Sequence, residues 1–276
     1  VITELIAAVM ATTATAGGEV VSDGDAEVTA RGVVWSIFAN PTLADQKTSD
    51  GSGLGAFSSA LTGLMPGTTY YIRAYATNAA GTAYGERLSF TTPAVIPTVE
   101  TTLISGLTDS SAVSGGNVTS DGGAPVTARG VVWSSVSLPD TTDMRSLDGS
   151  GEGSFTSQIG ALDPATTYYL RAYATNAVGT AYGEEISFTT PAGLPTVLTL
   201  GISGLTDSSA VSGGNVTSDG GSAVLSRGIV WSTASRPDLT DSNTTDGSGT
   251  GLFASMMADL LPGTVYYIRA YATNAI

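Results

Sequence analysis

The chain of 276 residues contains no cysteine and no histidine. It therefore has no disulfide framework, no thiolate nucleophile and no cysteine-based metal site. Acid and base roles in any catalysis would fall to carboxylates, tyrosines or the single lysine, Lys47. Serine is plentiful, but the sequence has no G-x-S-x-G elbow and no phosphate-binding glycine loop. A pair of carboxylates, as in glycosidases, is the one catalytic arrangement that spacing leaves open.

Charge is also scarce, and what there is has mostly one sign. Charged residues make up 12% of the chain, and the net charge is -14 with only 10 lysines and arginines. Proteins that bind a phosphate backbone neutralise it with basic side chains, so a nucleic-acid partner is excluded. No apolar run approaches the roughly 18 residues of a membrane-spanning helix. The sequence predicts neither a nucleic-acid partner nor a membrane span within this chain.

An internal repeat organises the sequence. The heptapeptide RAYATNA begins at Arg73, Arg171 and Arg269, and the three tryptophans Trp35, Trp133 and Trp231 have the same 98-residue spacing. A unit of this length has the size of one small domain with its own core. We predict three domains, at residues 1–95, 96–193 and 194–276.

The third copy ends before the segment that closes the other two, which in the first copy reads GTAYGERLSFTT at Gly81 to Thr92. Its sheet is therefore expected to lack the last strand. Two explanations are open: the chain is a window cut from a longer array, or a neighbouring subunit supplies the strand. The window is favoured, because Val1 begins in the same register as Val99 and Val197.

Within one repeat the pattern is all-β. Short segments rich in Val, Ile, Thr and Tyr alternate with Gly, Asp, Asn and Pro, and no helical periodicity persists. In the second repeat we predict strands at Val99–Ser105, Ala112–Val118, Val126–Ser134, Gly153–Ile159, Tyr168–Thr175 and Tyr182–Thr190. Six or seven short strands in about 100 residues are typical of a β-sandwich.

The segment LDPATTYYLRAYATNAVGTAYGEEISFTT, Leu162 to Thr190, resembles the end of a fibronectin type III domain. The positions that match are Leu162, Pro164, Thr166, Tyr168, Leu170, Ala172, Ala174, Asn176 and Gly179. The resemblance implies three tandem immunoglobulin-like sandwiches, with Tyr168 as the corner tyrosine whose hydroxyl bonds nearby backbone. The sequence departs from the family at Trp133, which is expected on the third strand and not on the second. Repeats with this third strand resemble those of bacterial surface and secreted proteins.

The RAYATNA strand supplies the first candidate site, because residues two apart on a strand share one face. Ile72, Ala74 and Ala76 should point inward and leave room for Trp35 across the core. The opposite face would carry an aromatic row with an arginine between two rings, either a ligand surface suited to sugars or a stiffened, partly covered sheet face. The residues of this row are Tyr71, Arg73, Tyr75, Tyr169, Arg171, Tyr173, Tyr267, Arg269 and Tyr271.

Acidic residues in loops form the second candidate site. Calcium binds carboxylates and carbonyls in flexible loops, although this spacing does not match an EF-hand and Asp-Gly turns explain most of the residues. The weak calcium candidates are Asp45, Asp50, Asp143, Asp148, Asp241 and Asp246. No other metal or cofactor is expected.

Two functions remain open. The first is a non-catalytic spacer, a semi-rigid stalk, adhesin shaft or filament outside a bacterial cell, whose repeats associate end to end. The second is a set of carbohydrate-binding modules of a secreted enzyme. Repetition without insertions favours the spacer, because near-identical modules set length and not specificity. Catalytic residues rarely occur in triplicate, so we expect no enzyme.

Overall fold

The computed structural model of the chain describes residues 1–276, and its regular secondary structure consists of strands alone. The first repeat contains β1 (Ile2–Thr3), β2 (Thr13–Val20), β3 (Ala30–Ser36), β4 (Gln46–Lys47), β5 (Gly55–Thr62), β6 (Thr69–Asn78), β7 (Gly81–Tyr84) and β8 (Leu88–Thr91). The second contains β9 (Thr98–Ser105), β10 (Ala112–Ser120), β11 (Ala128–Ser134), β12 (Met144–Arg145), β13 (Gly153–Ile159), β14 (Thr167–Thr175), β15 (Thr180–Tyr182) and β16 (Ile186–Thr189). The third contains β17 (Thr196–Thr199), β18 (Ala210–Ser218), β19 (Ser226–Ser232), β20 (Ser242–Asn243), β21 (Gly251–Met257) and β22 (Tyr267–Thr273). No helix that could cross a membrane is found.

Each repeat forms two antiparallel sheets. In the first repeat one sheet has the order β1-β2-β5, and the other has the order β4-β3-β6-β7 with β8 also paired to β6. The second repeat has the same arrangement, with β9-β10-β13 facing β12-β11-β14-β15 and β16 paired to β14. The chain is therefore all-β, as predicted, and its repeats are tandem β-sandwiches.

The third repeat has the same two sheets with fewer strands. Its sheets have the orders β17-β18-β21 and β20-β19-β22, so no strand lies on the side of β22 where β7 and β8 flank β6. Side chains on β22 are correspondingly more exposed, with Tyr267 at 48%. The absence of the last strand from this sheet is as expected from the sequence.

The core of the first repeat lies between its two sheets. Ile72 and Ala74 on β6 are fully buried, and Trp35 on β3 is 7% exposed in the same apolar cluster. Trp35 pairs with Ile72 in one sheet, so the expectation that the alanines leave room for Trp35 across the core was wrong. A β-carbon built on Gly18 of β2 would lie 2.5 Å from the β-carbon of Ala74. The small residues instead allow the two sheets to approach each other closely.

The corner tyrosine is present in all three repeats. The backbone N–H of Asp163 donates to the Tyr168 hydroxyl at 3.0 Å, and Met65 and Leu261 donate in the same way to Tyr70 and Tyr266. This contact ties the chain before β14 to the strand itself. The interaction implied by the fibronectin type III resemblance is confirmed.

One predicted strand is divided in the structure. Tyr182–Thr190 forms β15 and β16, which are separated near Gly183 and pair with different parts of β14. Between these two pairings, a residue of the other sheet provides the hydrogen-bond partner of β14: the Thr101 hydroxyl accepts the N–H of Ala172 at 3.0 Å. A β-carbon on Gly183 would lie 2.5 Å from that hydroxyl oxygen. Strand β12, which contains only two residues, was not predicted.

Candidate functional site

The aromatic row lies on the outer face of the larger sheet, but much of it is covered. In the first repeat Tyr71 and Arg73 are half-buried, while Tyr75 is only 4% exposed. The segment that follows β4 crosses this face, and the Tyr75 hydroxyl donates to the carbonyl of Thr48 at 2.8 Å. A β-carbon on Gly32 would lie 2.5 Å from the same carbonyl oxygen, so the segment sits directly on the sheet. Tyr75 is therefore a buried anchor for this segment.

The arginine of the row does not lie between its two tyrosines. The Arg73 guanidinium lies 4.5 Å from the ring centroid of Tyr84 on β7, and its Nε donates to the carbonyl of Gly85 at 3.1 Å. The ring of Tyr71 is covered instead by Arg87, at 5.3 Å. The predicted stacking between neighbouring tyrosines was wrong, because the flanking strand brings a closer ring to the guanidinium.

The second repeat has the same arrangement. Tyr173 is 2% exposed and donates to the carbonyl of Ser146 at 2.8 Å, and Arg171 lies 4.6 Å from the ring centroid of Tyr182. Tyr169 is half-buried. In both repeats only the first tyrosine of the row and part of the arginine reach solvent.

The third repeat leaves its row more open. Tyr271 is half-buried and donates to the carbonyl of Thr244, as its counterparts do, but Tyr267 and Arg269 are exposed. A surface cavity of about 370 Å³ is lined by Arg269, Tyr271 and Pro237. Arg269, which borders this cavity, corresponds to Arg73 and Arg171, which Tyr84 and Tyr182 cover in the first two repeats.

Burial has an electrostatic effect on the covered tyrosines. Removal from water raises the pKa of Tyr75 above its usual value of 10.0, and the nearby Asp50 carboxylate raises it further. Burial likewise raises the pKa of Tyr173. Both phenols are therefore neutral at physiological pH and act as hydrogen-bond donors, not as bases.

Half of the calcium candidates belong to a hydrogen-bonded network beneath the covering segment. Asp50 Oδ2 accepts hydrogen bonds from Thr48 Oγ1 at 2.6 Å and from the buried Ser59 Oγ at 2.5 Å. The same contacts join Asp148 to Ser146 and Ser157, and Asp246 to Thr244 and Ser255. These carboxylates are already paired with hydroxyl donors in all three repeats.

The other three candidates lie in exposed turns. Asp45 accepts the backbone N–H of Thr42 at 2.8 Å, and Asp143 and Asp241 accept the N–H groups of Asp140 and Asp238, each at 3.0 Å. No group of three or more acidic side chains is placed to hold a metal ion. Calcium binding stays a prediction that the contacts of these residues do not favour.

Sequence reasoning missed an arginine that holds the covering segment at its other end. Arg31 on β3 lies 5.4 Å from the ring centroid of Phe57 and donates to the carbonyls of Leu54 at 2.7 Å and Gly53 at 3.3 Å. Arg129 and Arg227 make the equivalent contacts. The repeated Arg-Gly pair before each tryptophan was the available signal, since Gly32 and its counterparts admit the segment that the arginine fixes.

The hydroxyl and carboxylate network has little scope for catalysis. Ser59 and its counterparts Ser157 and Ser255 are between 0% and 2% exposed, so their hydroxyls cannot reach a substrate. Their carboxylate partners accept hydrogen bonds that fix a loop. The repeated polar residues thus support the sandwich and its covering segment.

Comparison with protein-family models finds no match, and comparison with curated proteins finds none either. Among solved structures, the crystal structure of the FN1–FN3 domains of chicken CNTN1 is similar, with 16% sequence identity and a TM-score of 0.42 over 98% of this chain and 91% of that one. The chain's own strand order and corner tyrosines define its fold. It is a tandem array of fibronectin type III-like β-sandwiches.

Proposed function

We propose that this chain is a non-catalytic structural module, a semi-rigid stalk, adhesin shaft or filament segment that sets a distance outside the cell. Its domains would be residues 1–95, 96–193 and 194–276. The main support for this proposal is that neither linker is a flexible tether. The backbone of Val95 and of Gly193 is hydrogen-bonded to the repeat that follows it. Sandwiches joined in this way set length, because each copy adds the same increment.

The use of the repeated polar residues supports a non-catalytic role. The network of Asp50 and Ser59, the contact from Tyr75 to Thr48 and the arginine contacts recur in all three repeats and hold loops to sheets. Three copies of one enzymatic site are rare, whereas three copies of one packing solution are what a spacer requires. We expect partners to be neighbouring repeats, end to end.

An extracellular location on a bacterial surface is part of the same proposal. The chain uses Ser, Thr, Asn and Gly for its polarity, with charged residues at 12%. The third-strand pattern with Trp133 resembles repeats of bacterial surface and secreted proteins. Fractionation of the source organism, followed by immunoblotting, should find the protein outside the cytoplasmic membrane, and a purely cytoplasmic signal would contradict this.

Carbohydrate binding is less well supported. A sugar-binding face would need open aromatic rings, but Tyr75 and Tyr173 are buried. A glycan array probed with the chain should give no saturable signal. Specific binding that is lost in Tyr71→Ala would favour the alternative, with Thr102→Val as a surface control.

Electron microscopy of the native material tests the proposed role. Antibody-labelled protein should appear as a thin rod or fibre, alone or beneath a terminal domain. Labelled globular particles, with the repeats packed around an enzyme core, would contradict a spacer.

A further inference from the structure

The junctions between repeats are built contacts and not simple tethers. In the first junction the N–H of Val95 donates to the carbonyl of Gly122 at 2.8 Å. The carbonyl of Val95 accepts a hydrogen bond from the Asn176 side chain, whose Nδ2 lies 2.7 Å away. Asn176 is only 5% exposed, and the same Nδ2 also donates to the carbonyl of Asp121 at 2.8 Å. One linker residue is thus held on both sides by the domain that follows it.

The second junction repeats this geometry with a different linker residue. The N–H of Gly193 donates to the carbonyl of Gly220 at 2.7 Å, and its carbonyl accepts from Asn274 Nδ2 at 2.7 Å. Asn274 also donates to the carbonyl of Asp219 at 3.0 Å. Because both contacts use the linker backbone, the exchange of Val95 for Gly193 leaves the geometry unchanged.

A glycine turn brings the two domains into direct contact beside the linker. A β-carbon built on Gly123 would lie 2.4 Å from the carbonyl carbon of Pro66 in the preceding repeat. One built on Gly221 would lie 2.4 Å from the β-carbon of Ala165 at the second junction. Real β-carbons do not approach other atoms so closely, so this turn has room only for glycine.

The first repeat provides an internal comparison. Its asparagine, Asn78, donates to the carbonyl of Asp23 at 2.7 Å, the contact that Asn176 makes to the carbonyl of Asp121. In its turn the N–H of Asp25 donates to Asp23 Oδ1 at 3.3 Å. The N–H of Gly123 makes the equivalent hydrogen bond to Asp121 Oδ1 at 2.7 Å. The turn carries Asp25, with φ of 64°, at the position of Gly123, with φ of 81°. The backbone is shared, and only the side chain differs.

We propose that the last asparagine of the RAYATNA motif and the second glycine of the SDGG turn form an interdomain clamp that fixes the angle between successive repeats. The asparagine holds the linker backbone, and the glycine admits the turn of the preceding domain that begins at Pro66 or Pro164. The partner that this surface fits is the linker end of another repeat. Asp25 places a side chain where such a turn would enter, so the difference between SDGD and SDGG distinguishes the first repeat from the two that receive a neighbour within this chain.

The absence of cysteine permits a direct test of the clamp. Cysteines introduced by Ser58→Cys and Thr156→Cys occupy equivalent exposed positions on β5 and β13, and spin labels there report the distance between the first two domains. Pulsed electron paramagnetic resonance should give one narrow distance distribution. Asn176→Ala should broaden it at least twofold, and Gly123→Asp should displace its maximum.

Matched controls come from the first repeat. Asn78→Ala loses the same contact to the turn carbonyl but none to a linker, and Asp25→Gly is the reverse of the junction substitution. Both should leave the distribution unchanged, which separates the clamp from any general loosening of a domain. A broad distribution in the parent protein would overturn the proposal. So would a distribution that stays equally narrow and unmoved in both junction variants.

Discussion

Four residues of the RAYATNA motif each make a contact that the first repeat needs. Arg73 holds the carbonyl of Gly85, Ala74 faces Gly18 across the core, Tyr75 anchors Thr48, and the asparagine holds the turn after β2. Alternate residues serve opposite faces of one strand. A substitution at any of these four positions therefore removes a different interaction, which favours their recurrence.

Trp133 is the largest single side chain in the core of its repeat. It is 6% exposed, on the third strand as predicted, so Trp133→Ala should lower the free energy of unfolding of its domain by about 3 to 5 kcal/mol. Chemical denaturation followed by tyrosine fluorescence measures this. The same substitution at the half-buried Trp231 should cost less. Equal, negligible effects at both positions would contradict the assigned core.

The corner tyrosine contributes through one hydroxyl. Tyr168→Phe removes the acceptor of the Asp163 N–H and should cost about 1 kcal/mol, because the ring stays packed against Phe188. Differential scanning calorimetry should show a lower midpoint for one domain only. Tyr169→Phe, which loses no hydrogen bond within the chain, is the control. A loss as large as that of Trp133→Ala would mean that the ring, and not the hydroxyl, was disturbed.

At the scale of elements, the two sheets are joined by a side chain from the first strand of each repeat. The hydroxyls of Thr3, Thr101 and Thr199 accept the N–H groups of Ala74, Ala172 and Ala270 at 2.9 to 3.0 Å. In the first two repeats these N–H groups lie where the last strand is interrupted. The interruption is thus compensated by a bond between the sheets.

Thr101→Val tests this bond with little change of shape. It leaves the N–H of Ala172 without its partner, and the domain should lose about 1 to 3 kcal/mol. Thr102→Val, at the exposed neighbouring position, should be nearly neutral. Hydrogen exchange of the Ala172 amide is the specific measurement. Unchanged protection of this amide in Thr101→Val would contradict the bond.

Because the covering segment buries Tyr75 and Tyr173, the stability of the fold should depend on pH in the alkaline range. Since the pKa of Tyr75 and of Tyr173 is raised in the folded state, their contribution is fully present below pH 10.0 and is lost as pH rises through the higher folded value. The midpoint of denaturation should therefore decrease as the pH is raised above 10.0. The double variant with Phe at both positions should show a shallower fall, and an identical profile would contradict the burial of these phenols.

The strands and the inward alanines could be predicted because alternation is a local signal. The division of Tyr182–Thr190 could not, since it depends on Thr101, which lies far away in the chain. A partly covered sheet face was one of the two interpretations of the aromatic row, but the residue that covers Tyr75 could not be identified, because Thr48 comes from another loop. Arg73 was assigned to the wrong ring because Tyr84 approaches from the neighbouring strand. The local sequence pattern thus predicted the strands, whereas contacts between distant elements determine which side chains of the candidate site are covered.

For the whole molecule, the two proposed clamps lead us to expect that the repeats act as one extended body. Each linker is held by hydrogen bonds and flanked by prolines, which restrict its backbone. With strands of 7 to 10 residues, each sandwich adds about 30 Å, so three repeats should span about 100 Å. A chain with free linkers would sample many shorter arrangements.

Small-angle X-ray scattering of the 276-residue chain tests this extended arrangement most directly. A rod about 100 Å long has a radius of gyration on the order of 30 Å, with a maximum dimension near its length. A single compact globule of this size would have a radius of gyration of about 19 Å. We expect the rod. A radius near the compact value would contradict the spacer.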